Sequence, residues 1–303
     1  MAYRYSRQEP VSRGTRRIVR ERLQEAIEQL GLEGDQMHEG IHEARKRFKE
    51  IRAVLRLARA ELGDRYRVEN RWYRDAGRAL SAVRDAQAAL ETWDKLCSRF
   101  PQLCIHGRAE AVARRLKSRL GQVGGDQGEI ETPRTAIRQA LPAAHERVER
   151  WPIEAAGFDA LREGAKRVYK QGRRNMRDAY ESGDSLHFHE WRKRVKDLWY
   201  HTKLLRPVWH DAMKMRETGL KQLSDMLGDD HDLVVFAQLI EKRPGMFGPQ
   251  EFRSELNQCI AVRQQELRAD ACWLGHRLYA ERPKAYVERI EAYWRLWRPL
   301  RLR

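Results

Sequence analysis

An eight-residue block occurs twice in this chain, and its spacing constrains the fold more than any other feature. Residues 42–49 read HEARKRFK and residues 189–196 read HEWRKRVK, identical at six of eight positions. The offset of 147 residues also carries Leu80 onto Leu227 and Asp85 onto Asp232 without a gap. Two separate blocks in one register, at nearly half the 303-residue length, indicate duplication of a whole structural unit.

That unit reads as helical. Apolar residues recur at three- and four-residue spacing, and strand-like alternation between turn signals is missing. Prolines stand where helices should stop or start, at Pro101, Pro133, Pro152, Pro207, Pro244, Pro249 and Pro283. The glycine-rich stretch from Gly121 to Pro133 reads as a loop, followed by a short helix from Arg134 to Arg150. Arg16 to Leu32 and Phe158 to Tyr180 are basic amphipathic segments ahead of each motif. The expectation is an all-α chain of two halves, residues 1–150 and 151–303, meeting near Trp151 and Pro152. Each half resembles a four-helix bundle with short, antiparallel connections.

The motif helix, expected from His38 to Leu62, carries two stripes. Ile41, Ala44, Phe48, Ile51, Leu55 and Ala58 form an apolar seam. His42, Arg45, Lys49, Arg52, Arg56 and Arg59 follow the same rhythm one residue later, which sets a basic stripe about 100° round the helix from the seam. The second copy repeats this. Phe188, Trp191, Val195, Leu198 and Leu205 supply the seam; His189, Arg192, Lys196, Lys203 and Arg206 supply the stripe, with Trp199 replacing one cation.

An ordinary solvated face mixes Glu with Lys for pairing at i,i+4. These stripes are nearly all positive, so the missing counter-charge is expected from a ligand. Further basic residues, Arg16, Arg17 and Arg20 in the first half and Lys166, Arg167, Lys170, Arg173, Arg174 and Arg177 in the second, could extend the surface. The cluster Arg114, Arg115, Lys117 and Arg119 reads more simply as surface charge. The whole chain agrees in sign: 60 basic residues against 44 acidic give +16, which points to anionic partners. At 41% hydrophobic residues the chain can still bury a core.

Other chemistries are less well supported. The four cysteines lack CxxC spacing and read as reduced thiols. Neither an apolar leader core nor a run of about 20 apolar residues is present, so a cytosolic protein without a membrane span is expected. His42 and His189 head the two stripes. HEARK and HEWRK are not HExxH, and adjacent arginines would repel a cation, so donation to phosphate is preferred over metal ligation. The segment GDDHD at 228–232, with His38 and His42, offers a metal-dependent phosphohydrolase centred on His38, His42, His231 and Asp232. Against it, Arg84 occupies the register position of His231.

With HEARKR, HEWRKR, LGDDHD and the basic YKQGRRNMRDAY in this order, the chain resembles CHAD-domain proteins, the conserved histidine α-helical domain family. The resemblance runs from about Arg16 to the end. It implies two helical bundles related by a pseudo-twofold axis, their basic faces turned to a shared groove. It also implies non-enzymatic binding of inorganic polyphosphate, at polyphosphate granules in many bacteria, with no cofactor. The positions matching the motif are His42, Arg45, Lys46, Lys49 and Arg52, then His189, Arg192, Lys193 and Lys196. Arg56, Lys203, Arg16, Arg20, Lys166, Lys170 and Arg173 complete the expected binding set. Many relatives carry a triphosphate-tunnel (CYTH) domain; this sequence has no β-rich segment to build one. Polyphosphate presents only phosphate oxygens, which arginine forks and lysine charges satisfy without reading a base. A nucleic-acid ligand for the same surface is the alternative.

Overall fold

The computed structural model describes residues 3–80, 82–125 and 127–298. Among them there are twelve α-helices and no strand. The first half supplies α1 (Val11–Gln29), α2 (Met37–Leu57), the one-turn α3 (Arg59–Leu62), α4 (Arg65–Ala79), α5 (Ala82–Arg99), α6 (Arg108–Gly125) and α7 (Gln127–Glu149). The second supplies α8 (Asp159–Ser182), α9 (Ser185–Leu205), α10 (His210–Lys242), α11 (Gln250–Leu278) and α12 (Pro283–Trp297). Shifted by 147 residues, α1 falls on α8, α2 on α9 and α6 on α11. The single helix α10 spans the positions of both α4 and α5.

The seams expected from the sequence are buried. Ile41, Ala44, Phe48, Ile51, Leu55 and Ala58 lie in the core, as do Phe188, Trp191, Val195, Leu198 and Leu205. Local chemistry sets the entry to α9: Gly183 ends α8 at φ 71°, and Asp184 caps α9 by accepting from the His187 amide at 2.9 Å. Only these two residues separate α8 from α9, which forces the helices back against each other.

Three local expectations change. The helix from His38 to Leu62 breaks at Ala58, whose ψ of 16° leaves the helical region, and Arg59 turns off the stripe to lie over the Tyr66 ring at 4.4 Å. The glycine-rich stretch is helical, with α6 running to Gly125 and α7 resuming at Gln127. Pro133 accordingly lies inside α7 rather than at a helix boundary, and Pro142 lies within the same helix. Tertiary docking overrides propensity here. Ile137, Leu141, Ala144 and Val148 form a buried seam on α7, and Arg134 donates to the Leu32 carbonyl beyond the end of α1 at 2.5 Å.

The two apolar cores do not coincide with the two halves of the sequence. The larger gathers α1, α2, α4 and α7 with α8, α9, α12 and the first part of α10. The smaller joins α5 and α6 to the rest of α10 and to α11, with Trp93 stacked on Phe236 at 6.4 Å. Trp151 divides the chain, but each core draws on both halves.

Candidate polyanion groove

The motif helices α2 and α9 cross in the larger core. At the crossing, buried His201 of α9 donates from Nε2 to the Ala53 carbonyl of α2 at 2.9 Å. Close to it lie two reciprocal ion pairs. Arg56 of α2 reaches Asp197 of α9 at 3.2 Å, and Lys203 of α9 lies 3.9 Å from Glu50 of α2. Positions 56 and 203, and 50 and 197, are each 147 apart, so each pair is the register copy of the other. The same acids hold their own helices' arginines, Arg47–Glu50 at 2.7 Å and Arg194–Asp197 at 3.1 Å.

On the outer side of this crossing the basic stripes wall a groove of about 970 Å³. Register-matched residues of α2 and α9 line it: Arg45 with Arg192, Lys46 with Lys193, Lys49 with Lys196, and Arg52 with Trp199. His42 and Arg56 belong to the same wall. The apolar floor includes Phe48, Tyr73, Ala88, Ala89 and Phe236, where the smaller core meets the larger. Among the described residues, fourteen lysines and arginines line the groove against four acids, Glu190, Asp197, Asp225 and Asp232.

Some of this charge is answered within the protein. Lys46 pairs with Glu43 at 3.1 Å, Lys193 with Glu190 at 2.6 Å, and Lys221 with Asp225 at 2.5 Å. The stripes are therefore less uniformly positive than the sequence pattern suggests, because Glu43 and Glu190 fold onto them at i,i+3. The excess still weighs on individual groups. Arg52 donates to Asn70 at 3.1 Å, and its guanidinium is pushed down to about 10 by burial and then by Arg56 one turn away. A cation held this way is stabilised by an arriving anion.

The other expected residues lie apart from the groove lining. Arg16 donates to the Trp151 carbonyl at 2.6 Å, bracing the junction of the halves, and Arg20 pairs with Glu149 at 2.6 Å. Lys166 lies 3.9 Å from Glu163 on α8, where Lys170 and Arg173 are exposed. Lys203 sits behind the wall, over Trp199 at 5.0 Å and beside Glu50. His189 is also set back, its ring packed in a tilted pair at 4.1 Å against His231, which does line the groove.

A family model for the CHAD domain matches residues 17–241. The chain belongs to the CHAD-domain family. The CHAD match takes in both motif helices and nearly all of α10, and stops short of α11 and α12, a narrower span than the one the motifs suggested. No CYTH domain is matched beside it. No match was found among curated proteins.

Within this CHAD fold several lining cations escape motif reading. Arg74 and Arg78 of α4, Arg119 of α6, and Lys221 and Lys242 of α10 all face the groove. One signal was available: Arg74 and Lys221 stand 147 apart, as a matched cation pair. The first-half counterparts of His231 and Asp232 are Arg84 and Asp85, whose side chains lie outside the described residues. Among the described residues, no group of three or more His, Cys, Asp or Glu is arranged to hold a metal ion, and none of the helices is long and apolar enough to cross a membrane.

Proposed function

We propose that this protein binds inorganic polyphosphate, without turning it over, in the groove between α2 and α9. One observation carries the reading: matched cations from two copies of one motif line a single groove. A linear polymer of identical phosphates needs repeated, equivalent cation sites rather than one specific pocket, and Arg45/Lys46/Lys49 with Arg192/Lys193/Lys196 form such a set. Polyphosphate binding by some CHAD-family members supports it. We also infer that the two halves arose by duplication and relate by a pseudo-twofold axis. The reciprocal pairs Arg56–Asp197 and Lys203–Glu50 support this, since only a twofold makes residue i meet j′ while j meets i′. Association with polyphosphate granules would follow from binding of this kind.

A nucleic-acid ligand has one observation in its favour, the indole of Trp199 in the groove wall. With Lys203 over its ring at 5.0 Å and Lys221 at 6.0 Å, that indole already serves cations, which favours the polyphosphate reading.

The test is reversal of four matched cations, Arg45→Glu, Lys49→Glu, Arg192→Glu and Lys196→Glu, in one variant. Polyphosphate binding should be lost with helical circular dichroism unchanged, and polyphosphate should displace RNA from the wild type at far lower phosphate concentration than the reverse. Unaltered affinity in the quadruple variant, or RNA as the stronger competitor, would overturn the assignment.

A further inference from the structure

The two halves differ in sequence at one matched position. Where the first half carries a permanent cation in its sequence, Arg84, the second carries His231 at the matching position. His231 stands on α10 one turn beyond Gly228 and lines the groove together with Arg192, Lys193 and Asp232. Arg192 lies over Gly228, 3.6 Å from where a Cβ would sit, so a guanidinium is packed against the turn that leads to His231. The His231 ring packs against His189 of α9 in a tilted pair, with centroids 4.1 Å apart and 35° between the planes.

Charged groups face this pair from several helices. Glu190, Arg192 and Lys193 come from α9, and Asp230 and Asp232 from α10. Nearby acids are already engaged: Arg268 of α11 holds Asp230 at 2.7 Å, and Lys95 of α5 holds Asp229 at 2.7 Å. Two imidazoles this close, beside a guanidinium and an ammonium group, repel when both carry a proton, and an arriving anion relieves that repulsion. Burial, and then the neighbouring His231, push His189 down to about 4; burial and then Arg192 also lower His231. A phosphate oxygen seated here adds negative charge beside both rings and accepts an N–H bond from His231, the ring that lines the groove.

Resting on the reading of the groove as a polyphosphate site, we propose that the closely packed His189–His231 pair is a proton-loaded phosphate subsite. Seating of the phosphate chain brings proton uptake at these rings, so affinity rises as pH falls through the weakly acidic range. The sign follows from linkage. Above the ordinary histidine value of about 6.5 the rings are neutral in both free and bound protein, and pH has no leverage through them. Between that value and about 4 the complex holds a proton that the free protein lacks. An anion that restores His189 to its ordinary value tightens binding roughly tenfold from pH 7.5 to 5.5.

The experiment is calorimetric titration of the full chain with medium-chain sodium polyphosphate at fixed ionic strength. It is run at both pH values, each in two buffers of different ionisation heat so that protons are counted. The wild type should tighten roughly tenfold at pH 5.5 with net proton uptake. The double variant His189→Gln/His231→Gln should change less than about twofold, with no uptake. His231→Arg, a permanent cation at this position, should show a smaller gain on acidification than the wild type. Equal pH dependence in the wild type and the double variant, or no proton uptake by the wild type, overturns the subsite. Absence of binding at both pH values instead overturns the groove reading on which it rests.

Discussion

Glu50 carries a carboxylate into a position only 1% exposed, behind the wall of the groove. Arg22 reaches it at 3.5 Å, Arg47 at 2.7 Å and Lys203 at 3.9 Å, and the Tyr3 hydroxyl donates to its backbone carbonyl at 2.9 Å. One buried anion thus ties α1, α2 and α9 together, and the backbone carbonyl of the same residue holds the N-terminal segment. Truncation leaves buried cations without their partner, which is the expensive direction for a desolvated pair. Glu50→Ala should lower unfolding free energy by about 3 kcal/mol in urea titrations; a loss below about 1 kcal/mol would show that solvent screens the site. This role was not legible in the sequence. Glu50 follows Lys49 in a highly charged run and looks there like one more surface charge. Only the crossing of α2 and α9 turns it inward, with Asp197 as its matched copy.

At the scale of helices, close approach decides how the groove wall is held. Gly164 of α8 packs on the end of α2. A Cβ at that position would lie 2.0 Å from the Leu57 carbonyl oxygen and 2.6 Å from that of Arg56. Those atoms are backbone and cannot swing aside, so any side chain must separate the helices. Gly164→Ala should cost about 2 kcal/mol or more and shift thermal unfolding down accordingly; a melting temperature equal to wild type would mean that α8 does not press on α2. Helix identity was largely readable, because the seam through Ile41, Phe48, Ile51 and Leu55 keeps a strict three- and four-residue rhythm. The segment before α7 was not readable. Its glycines and Pro133 argue locally for a loop, while Ile137, Leu141, Ala144 and Val148 gain more by docking as one buried helical face. Exact helix ends were also hidden: the basic rhythm runs through Arg59, yet the chain turns at Ala58.

Over the whole molecule, the groove lies where the two cores adjoin, with α2 and α9 as walls and Ala88, Ala89 and Phe236 beneath. The duplicated block announced both walls, residue by residue, from Arg45 and Lys49 to Arg192 and Lys196. It did not announce that the halves share their cores, since pairing of α5 and α6 with α10 and α11 is long-range and leaves no local pattern. The same limit explains why Arg20, Lys170 and Arg173 looked equivalent to the groove cations: basic character is visible in sequence, but the side of the molecule it occupies is not. A chain of +16 attracts any polyanion weakly, so the decisive property is how many cations act together in one place. The salt dependence of polyphosphate affinity measures that number. With about eight phosphates engaged along both walls, log affinity against log salt should fall with a slope of about −5 to −6, flattening markedly when the four wall cations are reversed. A slope shallower than about −2 in the wild type, or the same slope in wild type and variant, would contradict a groove built from two matched basic helices.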